Sequence, residues 1–411
     1  MSTPTAVILA AGEGSRMRPL TYTRPKVMLP IANRPILEHL LIEAREIGIS
    51  DFILVVGYHE EQLRAYFGEG ARWNVSIRYT SQSGQAGTAD AVRAVEGMVG
   101  SRFLLMNGDM VVKRQDIARL LEKETTTIGA LEVEDTRDLG LLEVKGTRVV
   151  RVHEKVEKAP SNLANAGLYV FTAEVFEAIA RTPKSPRGEY EITATLQLMI
   201  DGGVRVGFQR IGYWLDLSYP WHLLGANEAL LAGLEPAIEG EVEPNVVIKA
   251  PVSIGAGTVV RSGSYIVGPV VIGRECSIGP NCYIRPSTSI GDGCHIGASV
   301  EIKNSIIMND SDVPHLSYVG DSVIGEGCNL GAGTKIANLR LDEKDISVAG
   351  VGTRRRKFGA VLGDGVKTGI NASVNVGTMI GNGSFVGPGA VVSGVIAPGS
   401  RVFQGAGELP R

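Results

Sequence analysis

Aliphatic side chains recur at every sixth position through most of the C-terminal half of the chain. The column begins at Ile248 and is unbroken to Ile302, resumes at Ile324 and again at Leu362, and ends at Val392. A period of six fits neither an α-helix nor a plain strand. It is typical of hexapeptide repeats, which stack coils of short parallel strands around an aliphatic core. The sequence therefore predicts a parallel β-helix.

Two positions before the aliphatic residue, the repeat mostly carries a small side chain. Because the side chains of a strand alternate between its two faces, this small residue points inward as well. All four cysteines occupy this position: Cys276, Cys282, Cys294 and Cys328. Their spacing matches no zinc-binding pattern. We therefore expect buried, inert thiols in a reducing compartment, the cytoplasm.

The aliphatic column is interrupted twice, by a step of twenty-two residues from Ile302 to Ile324 and a step of twenty-six residues from Ile336 to Leu362. Neither number is a multiple of six, so we expect each interruption to eject a loop from the scaffold. Loops on a rigid scaffold are where function usually lies. The first interruption contains His315, and the second contains residues 338–344.

Length and charge narrow the possible classes of protein. The chain has 411 residues, which is too many for one core, so at least two domains are expected. Its net charge of −3 provides no field that would attract nucleic acid. No apolar run approaches the roughly 18 residues of a membrane span, and the N-terminus lacks the basic region of a signal peptide. We therefore expect neither nucleic acid nor membrane as a partner.

The N-terminal half alternates apolar strands with amphipathic helices. Residues 5–11 form a predicted buried strand that leads into a turn with Gly12 and Gly14, followed by Arg16. Glycines expose backbone N–H groups and Arg16 adds a fixed charge, so the turn suits phosphates, with Lys26 as a second cation. The alternation predicts an open, mostly parallel, Rossmann-like α/β sheet that binds ligands at the carboxyl ends of its strands.

Two aspartates follow predicted strands of this sheet. Asp109 comes directly after one strand, and Asp216 ends the motif Gly212-Tyr213-Trp214-Leu215-Asp216. A lone aspartate at such a place is more often a turn residue. Together with a cationic glycine loop, the pair instead favours a Mg²⁺ site that serves a triphosphate.

Several motifs of this half resemble those of the sugar-1-phosphate nucleotidylyltransferases. They are Leu9-Ala10-Ala11-Gly12-Glu13-Gly14-Ser15-Arg16-Met17 with Arg24-Pro25-Lys26, Gln82-Ser83-Gly84-Gln85-Ala86-Gly87-Thr88, and, in family order, Gly108-Asp109, Gly140, Glu154-Lys155, Asn165-Ala166-Gly167 and Trp214-Leu215-Asp216. The resemblance implies transfer of a nucleotidyl group from UTP or dTTP to a sugar 1-phosphate, with release of pyrophosphate. No covalent nucleophile is required, because positioning and charge neutralisation are sufficient.

The same resemblance implies roles for particular residues. Arg16 and Lys26 would hold the triphosphate, and Asp109 and Asp216 would bind Mg²⁺. The nucleotide would contact Ala10, Ala11, Gly12, Gly14, Gln82, Gly87 and Thr88, with Gln82 and Gly87 reading a pyrimidine base. The sugar and its phosphate would contact Gly140, Glu154, Asn165 and Lys155.

Motifs of the β-helix resemble those of glucosamine-1-phosphate acetyltransferases, whose β-helix is left-handed. They are His315-Leu316-Ser317-Tyr318-Val319-Gly320-Asp321-Ser322, Tyr283-Ile284-Arg285-Pro286, Val300-Glu301-Ile302-Lys303 and Asn329-Leu330-Gly331-Ala332-Gly333-Thr334. The resemblance implies that His315 is the general base for acetyl transfer from acetyl-CoA and that Glu301 orients it. Arg285 and Lys303 would bind the sugar phosphate. The sugar and acyl sites would be completed by Tyr318, Asn329, Asn338 and Lys344.

Taken together, the two halves resemble bifunctional sugar-1-phosphate nucleotidylyltransferase/acetyltransferases of archaeal type. We expect a nucleotidylyltransferase domain at 1–234, a linker at 235–241, an acetyltransferase β-helix at 242–400 and a tail at 401–411. The resemblance also implies a homotrimer or a multiple of it. Two alternatives remain: a nucleotidylyltransferase for glucose-1-phosphate or mannose-1-phosphate with a structural or regulatory β-helix, and a non-catalytic regulatory paralogue.

Overall fold

The computed structural model describes residues 4–82, 84, 86–137, 139–154 and 161–403. Contacts between residues group them into two units. The first unit contains residues 4–13, Arg24–Met28 and Ile36–Asp216. The second contains Gly14–Thr23, Leu29–Pro35 and residues 217–403.

Short strands and helices alternate through the N-terminal part, as the sequence predicts. The helices are α1 (Ile36–Arg45), α2 (Glu60–Phe67), α3 (Thr88–Arg93), α4 (Arg114–Leu121), α5 (Glu174–Ile179), α6 (Ile192–Asp201) and α7 (Pro220–Leu231). The strands are β1 (Ala6–Ala10), β2 (Pro30–Ile31), β3 (Arg34–Pro35), β4 (Asp51–Val56), β5 (Ser76–Ser81), β6 (Arg102–Asn107), β7 (Met110–Val112), β8 (Thr127–Glu132), β9 (Gly140–Lys145), β10 (Arg148–Glu154), β11 (Leu163–Thr172), β12 (Gly207–Arg210) and β13 (Trp214–Asp216).

A nine-stranded sheet in the order β5-β4-β1-β6-β11-β8-β12-β10-β9 forms the first unit. The strands β5, β4, β1 and β6 are parallel to one another, whereas β11, β9 and β10 join with antiparallel pairings. Alternate residues of β1 lie in different cores: Ile8 packs with α1 on one face, and Val7 packs with α3 and α5 on the other. Because both faces are covered, the parallel strands are almost continuously apolar.

Three parallel sheets, called here the first, second and third walls, form the β-helix, consistent with the expected left-handed coil. The first wall contains Ala237–Ile238, Val252–Ile254, Val270–Ile272, Thr288–Ile290, Ile306–Ile307, Val323–Ile324, Ala360–Leu362, Thr378–Ile380 and Val395–Ile396. The second contains Glu241–Val242, Val259–Val260, Ser277–Ile278, His295–Ala298, Asp312–His315, Asn329–Leu330, Lys367–Thr368, Phe385–Val386 and Arg401–Val402. The third contains Val247–Lys249, Tyr265–Val267, Tyr283–Ile284, Glu301–Lys303, Tyr318–Gly320, Lys335–Ile336, Ser373–Val374 and Val391–Val392.

The six-residue period of the sequence corresponds to one wall per hexapeptide. Ile254 pairs with Ile272 and Ile272 with Ile290, so one coil takes eighteen residues. These side chains and the four cysteines lie in one buried core. The first strands, Ala237–Ile238 and Glu241–Val242, pair in register with the next coil. The first lies within the segment expected to be a linker, and the second begins at its last residue.

The loop expected at the first interruption is not formed, and that prediction is wrong. Ile290 pairs with Ile307 and Ile307 with Ile324, so these two coils are each shortened to seventeen residues. The chain omits one residue at each of two successive corners between the third and first walls. Residues 309–318, including His315, therefore stay in the β-helix.

The second interruption does eject a loop, as predicted. Ile324 pairs with Leu362, thirty-eight residues later, so this coil carries twenty extra residues. The loop is anchored rather than loose: Phe358 is fully buried, and its N–H donates to the Asn338 carbonyl (3.0 Å). An antiparallel pair of short strands, Ser347–Val348 and Val351–Gly352, lies within it.

Helix α7 belongs by its contacts to the second unit, where the fully buried Asn227 fixes it. The Asn227 amide donates to the Ser287 carbonyl (2.9 Å), and its oxygen accepts from Ser289 Oγ (2.6 Å) and from the Ala32 N–H (2.8 Å). None of the helices in the described ranges is long and apolar enough to cross a membrane.

Candidate active sites

The carboxyl ends of β5, β4, β1 and β6 lie side by side, because these strands are neighbours and parallel. Ala10 ends β1 and is buried, as is Ala11, and the exposed Gly12 follows. A Cβ atom at Gly108 would lie 2.6 Å from the Leu9 carbonyl oxygen, so only glycine fits directly after β6. This edge of the sheet therefore gathers the signature turn and the residues around Asp109.

Lys26 and Asp109 form an ion pair at this edge, with Nζ 2.5 Å from Oδ2. The lysine side chain is only 11% exposed and the aspartate side chain 37%. Asp216 ends β13, where its backbone pairs with Met110, the residue that follows Asp109. Sheet pairing therefore brings both predicted metal ligands to one place.

Asp116 of α4 fixes the approach to Asp216, a role that the sequence motifs do not reveal. Its buried carboxylate accepts hydrogen bonds from the backbone N–H groups of Gly212 (2.9 Å) and Tyr213 (3.0 Å). These two residues lead directly into β13. The only sequence signal for this contact is an acidic residue in the first turn of a helix.

Arg16 lies in a three-residue 3₁₀ turn, Ser15–Met17, which Gly14 begins in the left-handed conformation with φ of 68°. Within the second unit, the exposed Arg16 guanidinium lies over the ring of Tyr219, 5.4 Å from its centroid. Tyr219 stacks in turn on Trp221, with centroids 4.6 Å apart and planes 6° from parallel. The stack restricts where the Arg16 charge can point.

The predicted base-reading segment is held by backbone contacts. Gln82 follows β5, and its N–H donates to the Val56 carbonyl (2.8 Å). Gly87 has a φ of 105°, and a Cβ there would lie 2.5 Å from the Tyr190 carbonyl oxygen, so glycine is required. The Thr88 hydroxyl, at the start of α3, accepts from a backbone N–H at the start of α6 (2.9 Å).

Three of the four predicted sugar ligands converge. An added Cβ at Gly140 would lie 3.5 Å from Glu154 Oε2 and 3.8 Å from the Asn165 Cβ. The same point is 3.7 Å from Thr193 Cγ2, which adds a residue that the sequence analysis does not name. The fourth ligand, Lys155, lies outside the described residues.

The third wall of the β-helix carries a polar cluster at the two shortened corners. Arg285 Nη1 donates to Glu301 Oε1 (2.8 Å) on the next coil. Lys303 Nζ donates to Asp321 Oδ2 (2.9 Å) one coil further. The register that places Glu301 beside Tyr318 also places Lys303 beside Gly320. We call Arg285, Glu301, Lys303, Tyr318, Asp321 and Asn338 the third-wall cluster.

Asp321 is the centre of this cluster and is absent from the predicted site residues. Its carboxylate is buried and accepts from Lys303, from Asn304 Nδ2 (2.7 Å) and from Asn338 Nδ2. Asn338 Nδ2 also donates to the Tyr318 hydroxyl (3.1 Å). Burial raises the pKa of Tyr318, and the Asp321 and Glu301 carboxylates raise it further, so this hydroxyl stays protonated near neutral pH.

His315 lies at the end of a strand of the second wall, exposed to solvent. Within one chain, Glu301 lies on the third wall and binds Arg285, so its role in orienting His315 stays a prediction. Across the part of the chain that the structure describes, no hydrogen bond holds the His315 ring. Its backbone carbonyl accepts from the Gly333 N–H (2.9 Å) and from Ser317 Oγ (2.8 Å).

Asn329 and Lys344 lie apart from the third-wall cluster. Asn329 is on the second wall, one coil after His315, where its Nδ2 donates to Asp312 Oδ2 (3.4 Å). Lys344 is exposed in the ejected loop, next to a bidentate pair between Arg340 and Asp342 (2.7 Å for both bonds). The single chain therefore does not assemble all of the residues expected at the acetyl site.

Comparisons with known proteins agree with this two-part architecture. A family model described as nucleotidyl transferase matches residues 5–233, and one described as GMPPB C-terminal domain matches residues 266–384. The bifunctional protein GlmU is 39% identical in Methanococcus maripaludis and 38% identical in Methanocaldococcus jannaschii, over 97% of this chain and 97% of each relative. A bifunctional sugar-1-phosphate nucleotidylyltransferase/acetyltransferase of Sulfurisphaera tokodaii is 39% identical over 94% of this chain and 97% of the relative.

Two solved structures each match more than half of the chain. One assigned as a glucose-1-phosphate thymidylyltransferase of Bacillus anthracis is 27% identical with a TM-score of 0.52, over 57% of this chain and 97% of that one. A UDP-glucose pyrophosphorylase is 24% identical with a TM-score of 0.51 and supports the fold. The fold and both sites define a transferase that handles sugar phosphates. The chain belongs to the family of bifunctional sugar-1-phosphate nucleotidylyltransferase/acetyltransferases.

Proposed function

We propose that the chain makes UDP-N-acetylglucosamine in two steps. It transfers an acetyl group from acetyl-CoA to glucosamine-1-phosphate, and then a uridylyl group from UTP to N-acetylglucosamine-1-phosphate. The observation that supports the first step is the third-wall cluster, which places two cations, Arg285 and Lys303, on adjacent coils of one wall. Glu301 and Asp321 hold these two side chains in place, and the remaining N–H donors of Arg285 and Lys303 can bind the phosphate of the sugar.

In uridylyl transfer, the sugar phosphate attacks the α-phosphorus of UTP, and pyrophosphate leaves. Lys26 neutralises charge on the triphosphate, and Arg16 is held for the same task by its stack on Tyr219. Gly140, Glu154 and Asn165 orient the sugar. The chain therefore works by positioning and electrostatic stabilisation, which are sufficient for phosphoryl chemistry of this kind.

The residues at the sheet edge fit Mg²⁺. In the described ranges, no group of three or more His, Cys, Asp or Glu side chains converges on a metal position. Mg²⁺ is commonly held by one or two carboxylates with phosphate oxygens completing the shell, and Asp109 and Asp216 supply two. When bound, Mg²⁺ would neutralise charge on the reacting phosphates.

In acetyl transfer, the amine of glucosamine-1-phosphate attacks the thioester carbonyl of acetyl-CoA. The C–N bond forms, the C–S bond breaks, and the amine proton must leave. The His315 ring is solvent-exposed and holds no hydrogen bond in the described structure, so it is available to accept that proton. The proton then passes to the CoA thiolate.

The test compares His315→Ala with His295→Ala. Both histidines lie on the second wall, in adjacent coils, so the second variant is a matched control for loss of an imidazole from that surface. We expect CoA release from acetyl-CoA with glucosamine-1-phosphate to fall 100-fold or more, on the order of the contribution of a general base, only in His315→Ala. Uridylyl transfer from UTP to N-acetylglucosamine-1-phosphate should be unchanged in both variants. Equal CoA release by the two variants would show that His315 is not the base.

The alternative is a nucleotidylyltransferase alone, for glucose-1-phosphate or mannose-1-phosphate. The match of residues 266–384 to the GMPPB C-terminal domain supports this alternative. The relatives named as bifunctional, which match along nearly the whole chain, favour the two-step reaction. Pyrophosphate release is measured with UTP, dTTP and GTP, each with N-acetylglucosamine-1-phosphate, glucose-1-phosphate and mannose-1-phosphate. The preferred sugar phosphate distinguishes the two functions.

We also propose that the chain acts as a homotrimer or a multiple of it. Support comes from exposed apolar side chains on the last coils, Phe385, Val391 and Val395, which a monomer would leave in water. A trimer would also allow a neighbouring chain to complete the acetyl site around His315. Light scattering should return three times the 43.6 kDa of one chain, or a multiple of that mass.

A further inference from the structure

The side-chain amide of Gln82 has both of its hydrogens committed within the chain. Nε2 donates to the Gly87 carbonyl oxygen (2.9 Å) and to Asp90 Oδ2 (3.0 Å). Both partners are acceptors only, so turning the amide over would bring Oε1 against two other oxygens. The chemistry of the neighbours therefore determines which end of the amide faces outward, and that end is Oε1.

Asp90 is itself held in place. It lies in the first turn of α3, is buried, and its second oxygen, Oδ1, binds the Arg93 guanidinium. The carboxylate is thus fixed from both sides. The backbone of Gln82 is tied to the end of β4. Neither partner of the Gln82–Asp90 hydrogen bond can move without breaking other contacts.

We propose that Asp90 is a positioning residue for base selection, because it presents Gln82 to the base as a hydrogen-bond acceptor only. A base with a ring N–H donor, such as uracil or thymine, can bind Oε1. Cytosine offers an acceptor nitrogen at the same ring position and is rejected. The inference rests on the proposed function, since it assumes that Gln82 meets the base. It predicts no preference between UTP and dTTP.

The test replaces Asp90 by asparagine, which has nearly the same shape but can donate as well as accept. In Asp90→Asn, the new side-chain amide can donate to Gln82 Oε1, so only the Gly87 carbonyl still opposes turning the Gln82 amide over. Nε2 is then no longer confined to the inside, and an outward Nε2 suits cytosine. The kcat/KM ratio of UTP to CTP should fall by about tenfold to a hundredfold, the usual cost of one mismatched base contact. The ratio of UTP to dTTP and the rate of acetyl transfer should not change.

A merely structural role for Asp90 predicts a different result. Activity with UTP and CTP would then fall together, and their ratio would stay at the wild-type value, which would overturn the proposal. If Asp90→Asn does not fold, Gln82→Ala provides the second variant. With Asp90 in place it should lose the same discrimination, and an unchanged UTP to CTP ratio would refute the role of Gln82.

Binding measured by calorimetry separates this proposal from the proposed function. One outcome is that the wild-type chain binds UTP more tightly than CTP but releases no pyrophosphate with any sugar phosphate. This result contradicts uridylyl transfer and supports base selection by Gln82. Wild-type chain that turns over UTP and CTP equally well supports nucleotidyl transfer and contradicts the selection. The two failures are therefore distinguishable.

Discussion

Replacing Asp321 by alanine tests whether the third-wall cluster is an energetic unit. The substitution removes the acceptor of three donors: Lys303, Asn304 and Asn338. The Asp321 side chain is 3% exposed and that of Lys303 is 19% exposed, so the lysine charge is left nearly buried and unpaired. Breaking a buried ion pair from one side costs about 3–5 kcal/mol. Because Lys303 retains some contact with water, we expect a loss near 3 kcal/mol.

The free energy of unfolding is measured by urea titration, with Trp221 of the second unit among the three tryptophan probes. The matched control is Arg356→Ala, which breaks an exposed pair with Glu343 on the same unit and should cost about 0–1 kcal/mol. Acetyl transfer should fall in Asp321→Ala because Lys303 and Asn338 lose their anchor, while uridylyl transfer should persist. A loss no larger than that of the control would refute the reasoning.

Further predictions concern Tyr219, Cys328 and Asn227. Tyr219→Leu removes the ring under Arg16 and should lower kcat/KM for UTP about two- to fivefold, because an exposed cation–π contact contributes about 0.5–1 kcal/mol. The control variant Tyr219→Phe keeps the ring and should retain the wild-type kcat/KM. Burial raises the pKa of Cys328 to about 12, while an unfolded thiol titrates near 8.5, so the native thiol should resist alkylation at pH 9. Because the pKa is raised on folding, the stabilising contribution of the Cys328 thiol is complete below about pH 8.5 and declines as pH rises toward 12. The difference in free energy of unfolding between wild type and Cys328→Ala, measured by urea titration, should therefore become smaller over this range. Asn227→Leu leaves the Ser287 carbonyl and the Ala32 N–H without their buried partner, so the free energy of unfolding should fall by about 3 kcal/mol in the same titration. A loss below about 1 kcal/mol would contradict the importance of these contacts.

The polar motifs predicted which residues lie together on the third wall better than they predicted how the side chains of those residues pair. The register of the third wall gathers Arg285, Glu301, Lys303 and Tyr318, all of which the motifs indicate. Asp321 lies within one of the quoted motifs, but its place at the centre of the cluster was missed, because the sequence does not show which donors converge on its carboxylate. Within one chain Glu301 pairs with Arg285 and not with His315, because the two residues lie on different walls, so its orienting role stays a prediction.

The sequence by itself determined the architecture of both domains, because the two signals that predict it are consequences of local backbone geometry. A strand that leads into a glycine turn predicts the α/β sheet, and an aliphatic residue at every sixth position predicts a parallel β-helix. The tertiary structure alone decided how the column continues between Ile302 and Ile324. Two corners lose one residue each, and Ile307, Val313 and Val319 keep the core filled, so no loop is ejected. A gap in a period can be an insertion or a shortened corner, and only the pairing of neighbouring coils distinguishes the two.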